Sequence, residues 1–365
     1  MLAILTALLL TQATGTSSNG ASTNFDAIAR RAAAARDAAH LDEALSLYEQ
    51  ALKLRPQWDE GLWNAGSIAY DADRFEECAP LFRRLTAVKP NLAAGWIMSG
   101  LCEYGRRNYD EARKSLLISE QLKFDGPAEL SRAARLHLAI VLTKAGVYEK
   151  AIVLLTELTR MDHKTQDITV AAGIAGVRKP WAPSEVPEGD RERVFLLGDA
   201  MSTAMELDAK GAIPKFEAAL AKFPGDPDIH FRFGAFLLLQ SPERGMAELK
   251  KTLECDPGHI PALVGLASVY QKNGDSALAL EYGRKAIQAG PNEFAAHIVY
   301  GRTLLETDDT AAAAAELEAA VKLAPESADA HYSLATAYSR LGRKEDALRE
   351  QEEFKRLRKL IDASR

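Results

Sequence analysis

Residues 291–325 read PNEFAAHIVYGRTLLETDDTAAAAAELEAAVKLAP, two helical stretches closed by a proline at either end. Tyr300-Gly301 lies on the first helix, and Ala313, Leu317 and Ala320 lie on one face of the second. Proline has no backbone N–H and cannot extend the helix before it, so Pro325 begins a turn. Working outward, the same punctuation recurs at Leu54-Arg-Pro56, Val88-Lys-Pro90, Lys222-Phe-Pro224, Cys255-Asp-Pro257 and Ala289-Gly-Pro291. The separations include 34, 33, 34 and 34 residues. A fixed period of that length with paired amphipathic helices marks a repeat array, in which no helix pair buries its apolar face alone.

Other units fall into the same register. One runs from Asp59 through Leu62, Ala65-Gly66, Ala69, Cys78 and Phe82 to Pro90; the next starts at Ala93 with Trp96, Ser99-Gly100, Ala112, Leu116 and Ser119. Another starts at Ile260 with Leu263, Leu266-Ala267, Tyr270, a turn at Gly274, Ala279 and Ala286; the last has Leu334-Ala335, Tyr338, Gly342 and Ala347. Weaker units begin near Phe25, Arg132, Arg193 and Pro227, the last with a turn one residue short. Gly66, Gly100, Gly234, Gly301 and Ala335 let paired helices approach. Ala44, Ala112, Ala212, Ala279, Ala313 and Ala347 do so from the second helix, and Tyr48, Phe82, Phe216 and Leu317 fill the space one helical turn on. Over residues 25–361 the sequence resembles the tetratricopeptide repeat family, with its Trp-x2-Leu-Gly-x2-Tyr, Ala-x3-Phe and Pro pattern.

The expected fold is all-α, a right-handed α-solenoid of about nine repeats in two arms of four and five. Repeats one to four occupy 25–165 and repeats five to nine occupy 193–365, behind a signal peptide and linker at 1–24. Between the arms, 166–192 holds a small-residue helix, Thr169–Val177, and a stretch with Pro180, Pro183 and Pro187 that cannot be one helix. That stretch is expected to be an exposed joint. Ala347–Ser364 extends the last helix as a solubilising cap.

The chain has 365 residues, 47% hydrophobic and 26% charged, which excludes a disordered tail, a collagen and a polytopic membrane protein. Its net charge of −6 and the lack of any basic block argue against a nucleic-acid partner. Met1–Leu10 is an apolar run too short to span a bilayer but matching the core of a signal peptide, with Ala13 and Gly15 as cleavage positions. No Lys or Arg precedes the run. A periplasmic or secreted location is expected, with no integral span. Cys78, Cys102 and Cys255 each read as small buried hydrophobes, and pairing of the first two stays open.

No serine-nucleophile elbow, zinc-protease motif, phosphate loop or dinucleotide fingerprint occurs, so no enzyme, cofactor or metal is expected. His230, His297 and His331 occupy one repeat position, where the family has Trp. Equivalent positions in adjacent units are separated by at least about 8–10 Å, too far for one metal, so these histidines read as packing residues.

The resemblance implies a protein- or peptide-binding scaffold whose first helices line a concave groove. Carried onto this sequence, the groove offers Trp63, Asn64, Tyr70, Ile97, Met98, Leu101, Tyr104, Leu136, His137 and Ile140, then Leu197, Met201, Met205, Phe231 and Leu238. It becomes polar at Ser268, Gln271, Lys272, Arg302, Ser333, Thr336 and Arg340. The Lys/Asn/Lys/Arg clamp of some relatives is not matched. A groove-using enzyme, a glycan-binding protein and a self-associating array remain the alternatives, and burial of the apolar lining by neighbouring units weighs equally with a ligand surface. If export is right, amino-terminal sequencing of protein recovered from its source shows loss of about 13–21 residues; an intact Met1 would count against it.

Overall fold

The computed structural model describes residues 21–364 except 123 and 125; Met1–Leu10, Ala13 and Gly15 lie outside the described residues. Among the described residues there are nineteen α-helices and no strand. The chain forms two compact units, one up to Gly211 and one from Ala212.

The first unit begins with four helix pairs: α1 (Ala21–Asp37) with α2 (Leu41–Leu54), α3 (Asp59–Asp71) with α4 (Phe75–Val88), α5 (Ala93–Gly105) with α6 (Tyr109–Gln121), and α7 (Ala128–Lys144) with α8 (Tyr148–Asp162). It continues with α9 (Gln166–Gly176) and α10 (Arg191–Met205), and the unit boundary falls inside α11 (Ala209–Lys222). The second unit holds α12 (Pro227–Leu237), α13 (Pro242–Cys255), α14 (Ile260–Lys272), α15 (Ser276–Ala289), α16 (Phe294–Glu306), α17 (Thr310–Leu323), α18 (Ala328–Arg340) and α19 (Lys344–Ser364). Eight pairs lie within the units, and α9, which packs on α10, is extra to the repeat pattern. Each unit is a stretch of right-handed α-solenoid.

The turns inside all but one of the pairs share one backbone solution. Ala39, Asp73, Arg107, Gly146, Leu207, Gly274, Asp308 and Gly342 all have positive φ, most of them spaced by the repeat. The next amide returns to the carbonyl five residues back, as Arg74 does to Ala69 and Arg343 to Tyr338, which satisfies the end of the first helix. The turn between α12 and α13 lacks such a residue, in keeping with its missing position. Packing follows the small-to-large pattern: a Cβ added at Gly66 would press on Phe82, at Gly100 on Leu116, and at Gly301 on Leu317. Tyr48, Phe82, Phe216 and Leu317 are essentially fully buried.

Cys78 on α4 and Cys102 on α5 are joined as a disulfide across successive repeats, with Cα atoms 5.9 Å apart and both residues buried. Cys255, expected inside, is exposed at the end of α13. The capping helix α19 buries Leu357 but leaves Leu348 and Leu360 exposed.

The Pro-rich stretch differs from the exposed joint expected of it. It is a strap tied into the first unit, with Ala182 and Val186 buried and short 3-10 turns at Pro183–Glu185 and Glu188–Asp190. Glu185 accepts from Lys144 Nζ at 2.5 Å, from its own turn's Ala182 N–H at 2.8 Å, and from Tyr109 Oη at 3.3 Å; Arg178 reaches Glu149 at 3.0 Å. The prolines deny the strap a helix, and these side-chain bonds hold it down instead.

The strap connects α9 to α10, which pack so closely that a Cβ on Gly173 would strike the Val194 carbonyl and one on Gly198 the Thr169 carbonyl. Alanine is the better helix former by about 1 kcal/mol, but overpacking a close contact costs about 1–3 kcal/mol. Gly173→Ala should therefore lower the thermal midpoint; an unchanged or raised midpoint would show that the backbones can separate without cost.

Candidate functional site

Of ten positions read as groove, Trp63, Asn64, Tyr70, Ile97, Met98, Leu101, Tyr104, His137, Met201 and Phe231, six are buried in the chain's own packing: Trp63, Ile97, Met98, Leu101, Met201 and Phe231. Trp63 stands edge-on to Phe82 at 5.6 Å, and Phe231 packs beside the His259 ring at 4.9 Å. Leu197, Met205 and Ile140 are buried too. An open apolar lining is therefore not what these side chains present. They sit on the first helices, where Trp63 packs on Phe82 of its own pair, Phe231 on Ala262 and Leu266 of the next, and Leu197 and Met201 against Gly176 of α9. The other four, Asn64, Tyr70, Tyr104 and His137, are partly exposed.

Those four do not form one surface. Asn64 accepts from Arg36 across α1 and α3 at 2.9 Å, and Tyr70 meets Phe75 edge-on at 5.9 Å. Tyr104 and His137 are brought together, ring centroids 4.6 Å apart, with Tyr109 5.7 Å from Tyr104. Burial pushes the Tyr104 phenol up to about 12 and pushes the His137 imidazole below its ordinary value. The Ala133 carbonyl, 2.7 Å from His137 Nδ1, places the ring proton there. Burial tends to raise the Glu185 carboxyl, but the bonds from the Ala182 N–H, Lys144 and Tyr109 outweigh it and hold Glu185 below the usual range. The cluster is closed on itself: the strap's carboxylate takes the hydrogen bonds that an acidic guest would take. Among the described residues no group of three His, Cys, Asp or Glu side chains could hold a metal.

An open polar site lies in the second unit. Three first helices, α14, α16 and α18, form a cleft of about 470 Å³ that brings together Gln271, Lys272, Arg302, Ser333, Thr336 and Arg340. These are six of the seven polar positions read from the sequence; Ser268 is not in the lining. Leu305, Glu306 and Tyr332 complete it, with Tyr332 over half exposed.

Arg302 Nε donates to Ser333 Oγ at 2.9 Å, which aims the guanidinium across the gap between α16 and α18. Arg340 donates to the Leu305 carbonyl at 2.5 Å, and Gln271 to Glu306 at 2.9 Å. Asp329 and Asp308 stand at looser range, 3.8 Å from Arg302 and 3.5 Å from Arg340. A guanidinium carries five N–H donors, so each arginine keeps donors for a guest. The signal for this site was the shift from apolar to polar residues along successive first helices.

A family model described as tetratricopeptide repeat matches residues 30–93, 64–122 and 301–357, and a second of the same description matches 260–293, together just over half of the chain. The chain belongs to the tetratricopeptide repeat family. The matched ranges of these tetratricopeptide models lie on either side of 123–259, where the strap, the extra helix and the shortened turn break the period. Among solved structures, the MamA RS-1 ArsTM double mutant is 18% identical with a TM-score of 0.43, over 47% of this chain and 97% of that one. MamA 41-end from Desulfovibrio magneticus RS-1 is 20% identical with a TM-score of 0.40, over 47% and 96%. Yeast Tom70 is 13% identical with a TM-score of 0.33, over 93% of each chain. Likeness at this level carries no argument about what this tetratricopeptide chain binds. No curated protein matches it.

The burial of Trp63 has a measurable consequence. Truncating a buried Trp costs about 3–5 kcal/mol, so Trp63→Ala should lose stability of that order in urea unfolding. A stable Trp63→Ala variant would mean that the ring is a surface anchor after all.

Proposed function

We propose that this chain is a non-catalytic scaffold that docks a protein partner through the polar cleft of α14, α16 and α18, in an envelope or secreted setting. The observation that carries the reading is the convergence of Lys272, Arg302 and Arg340 from three successive first helices on one open cleft, with Glu306 the only acidic side chain in its lining. Ser333, Thr336 and Gln271 add neutral polar groups between the cations. The chemistry suits an extended segment rich in Asp or Glu. Carboxylates match the arginine fork, and Tyr332 offers an apolar flank to the stem of such a side chain.

The setting rests on the apolar run at Met1–Leu10. Among the described residues no helix is long and apolar enough to cross a membrane.

Contacts of this kind are screened by salt over about 8–10 Å. Binding to a peptide array graded in Asp and Glu content should rise with acidity and fall steeply with added salt. Arg302→Ala and Arg340→Ala should each weaken it by about 1–3 kcal/mol, with helical circular dichroism unchanged. Binding indifferent to both arginines and to salt would refute the acidic-segment reading.

A further inference from the structure

Three buried histidines of the second unit make the same pair of hydrogen bonds. His230 Nδ1 lies 2.6 Å from Glu248 and its Nε2 lies 3.0 Å from the Pro224 carbonyl. His297 repeats this with Glu316 at 2.7 Å and the Pro291 carbonyl at 3.0 Å, and His331 with Glu350 at 2.5 Å and the Pro325 carbonyl at 2.9 Å. Each ring thus ties its own helix to the second helix of its pair and to the proline that ends the preceding pair. In the first unit Trp96 takes the same place: its Nε1 donates to the Pro90 carbonyl at 2.8 Å, again six residues back. Tryptophan has one N–H, and Ser115 stands where the histidine repeats carry glutamate.

The proton count follows from the acceptors. A carbonyl only accepts, so Nε2 must carry a proton. The carboxylate on the other side needs a second proton, either on Nδ1 as an imidazolium–carboxylate pair or on the carboxyl itself. In both cases the station holds one proton more than a neutral histidine and a free carboxylate. We propose that each of the three His–Glu–Pro stations takes up one proton on folding, so that the second unit is held together by protons it loses as the pH rises above the range where free histidine titrates.

Other charges near the stations do not supply that proton. His230 faces Glu248 on α13, which Lys251 also reaches; its sequence neighbours on α12 are Asp228, 3.5 Å from Nε2 of His259 before α14, and Arg232, which lies over the Phe231 ring. His297 faces Glu316 on α17, and His331 faces Glu350 and, at longer range, Glu353 on α19. Burial tends to raise the Glu248 carboxyl, but hydrogen bonds from Lys251 and His230 outweigh it and hold it below the usual range.

The sign is fixed by linkage. Where the folded station holds the extra proton and the unfolded chain does not, each station shifts the unfolding equilibrium up to tenfold per pH unit toward the open form as pH rises. That window opens above about pH 6.5. Below about pH 4.3 the unfolded glutamate also binds a proton and the advantage falls again.

Glutamine separates this from ordinary packing. Its amide N–H donates to a neutral Nδ1 while Nε2–H still serves the proline, so the station closes without the extra proton. Hydrogen exchange, corrected for intrinsic rates, follows residues 227–361 of the full chain, while Trp58, Trp63, Trp96 and Trp181 all report on the first unit. Wild-type opening should increase by up to tenfold per pH unit per station from about pH 6.5 to 8.5. Glu248→Gln/Glu316→Gln/Glu350→Gln should flatten that slope and be the more protected protein at the upper end. A wild type with no slope, or a variant less protected by the same factor at every pH, would overturn the proposal. Imidazole nitrogen spectra of the wild type at about pH 7 give an independent reading without any variant: a protonated Nε2 on all three rings is expected, and an unprotonated one overturns that station.

Discussion

The close approach of paired helices is the constraint from which the rest of this molecule follows. Gly66, Gly100 and Gly301 sit where any added carbon would press on Phe82, Leu116 and Leu317. A helix pair closed in this way still has an apolar outer face, and only the next pair can cover it. That requirement fixes the repeat length, because the turn must return the chain at the same angle each time. It also explains why residues as poorly suited to positive φ as Leu207 and Arg107 are tolerated at the turn. The cost of that backbone conformation is about 1–2 kcal/mol, less than the burial each added pair gains.

Where the period breaks, the same physics finds another solution. The extra helix α9 has almost no large side chains, and it packs on α10 through Gly173 and Gly198 at backbone range. A helix of that composition buries little by bulk and gains instead from approach. The connecting strap cannot form helix bonds, so its ordering rests on Glu185, whose three donors come from α6, α7 and its own turn. A proline-rich stretch reads as a loop in sequence; whether it is loose depends on one carboxylate and the two helices that reach it.

How much was legible follows from that distinction. The 34-residue spacing, the small and large positions and the shortened turn before α13 are local, and each was readable from residue types alone. The disposition of the first-helix residues was not. Trp63, Met98 and Phe231 occupy nominal groove positions, but a position facing inward along a solenoid also faces its neighbours, and a large apolar side chain is drawn into that seam. Polar residues at the same positions cannot enter it without partners, which is why Arg302, Arg340 and Lys272 remain at the surface. Side-chain polarity rather than helix position separated core from cleft. Cys255 failed for a related reason: in the last turn of α13 the packed positions belong to Thr252 and Leu253, and Cys255 falls on the exposed side.

The same separation gives α16 and α18 two working faces. On the inner face His297 and His331 grip the preceding proline and the following helix; five and two residues on, Arg302 and Ser333 share a hydrogen bond across the cleft. A rigid helix cannot move one face and leave the other in place. The buried rings and the exposed guanidinium therefore answer to one helix position, set by hydrogen bonds on the buried side. Leucine at the equivalent place in α14, Leu263, keeps the packing and gives up the cross-links. The polar stations are thus not needed to fill space. They fix the angle at which successive first helices present their side chains, and apolar packing, being non-directional, specifies that angle far less well.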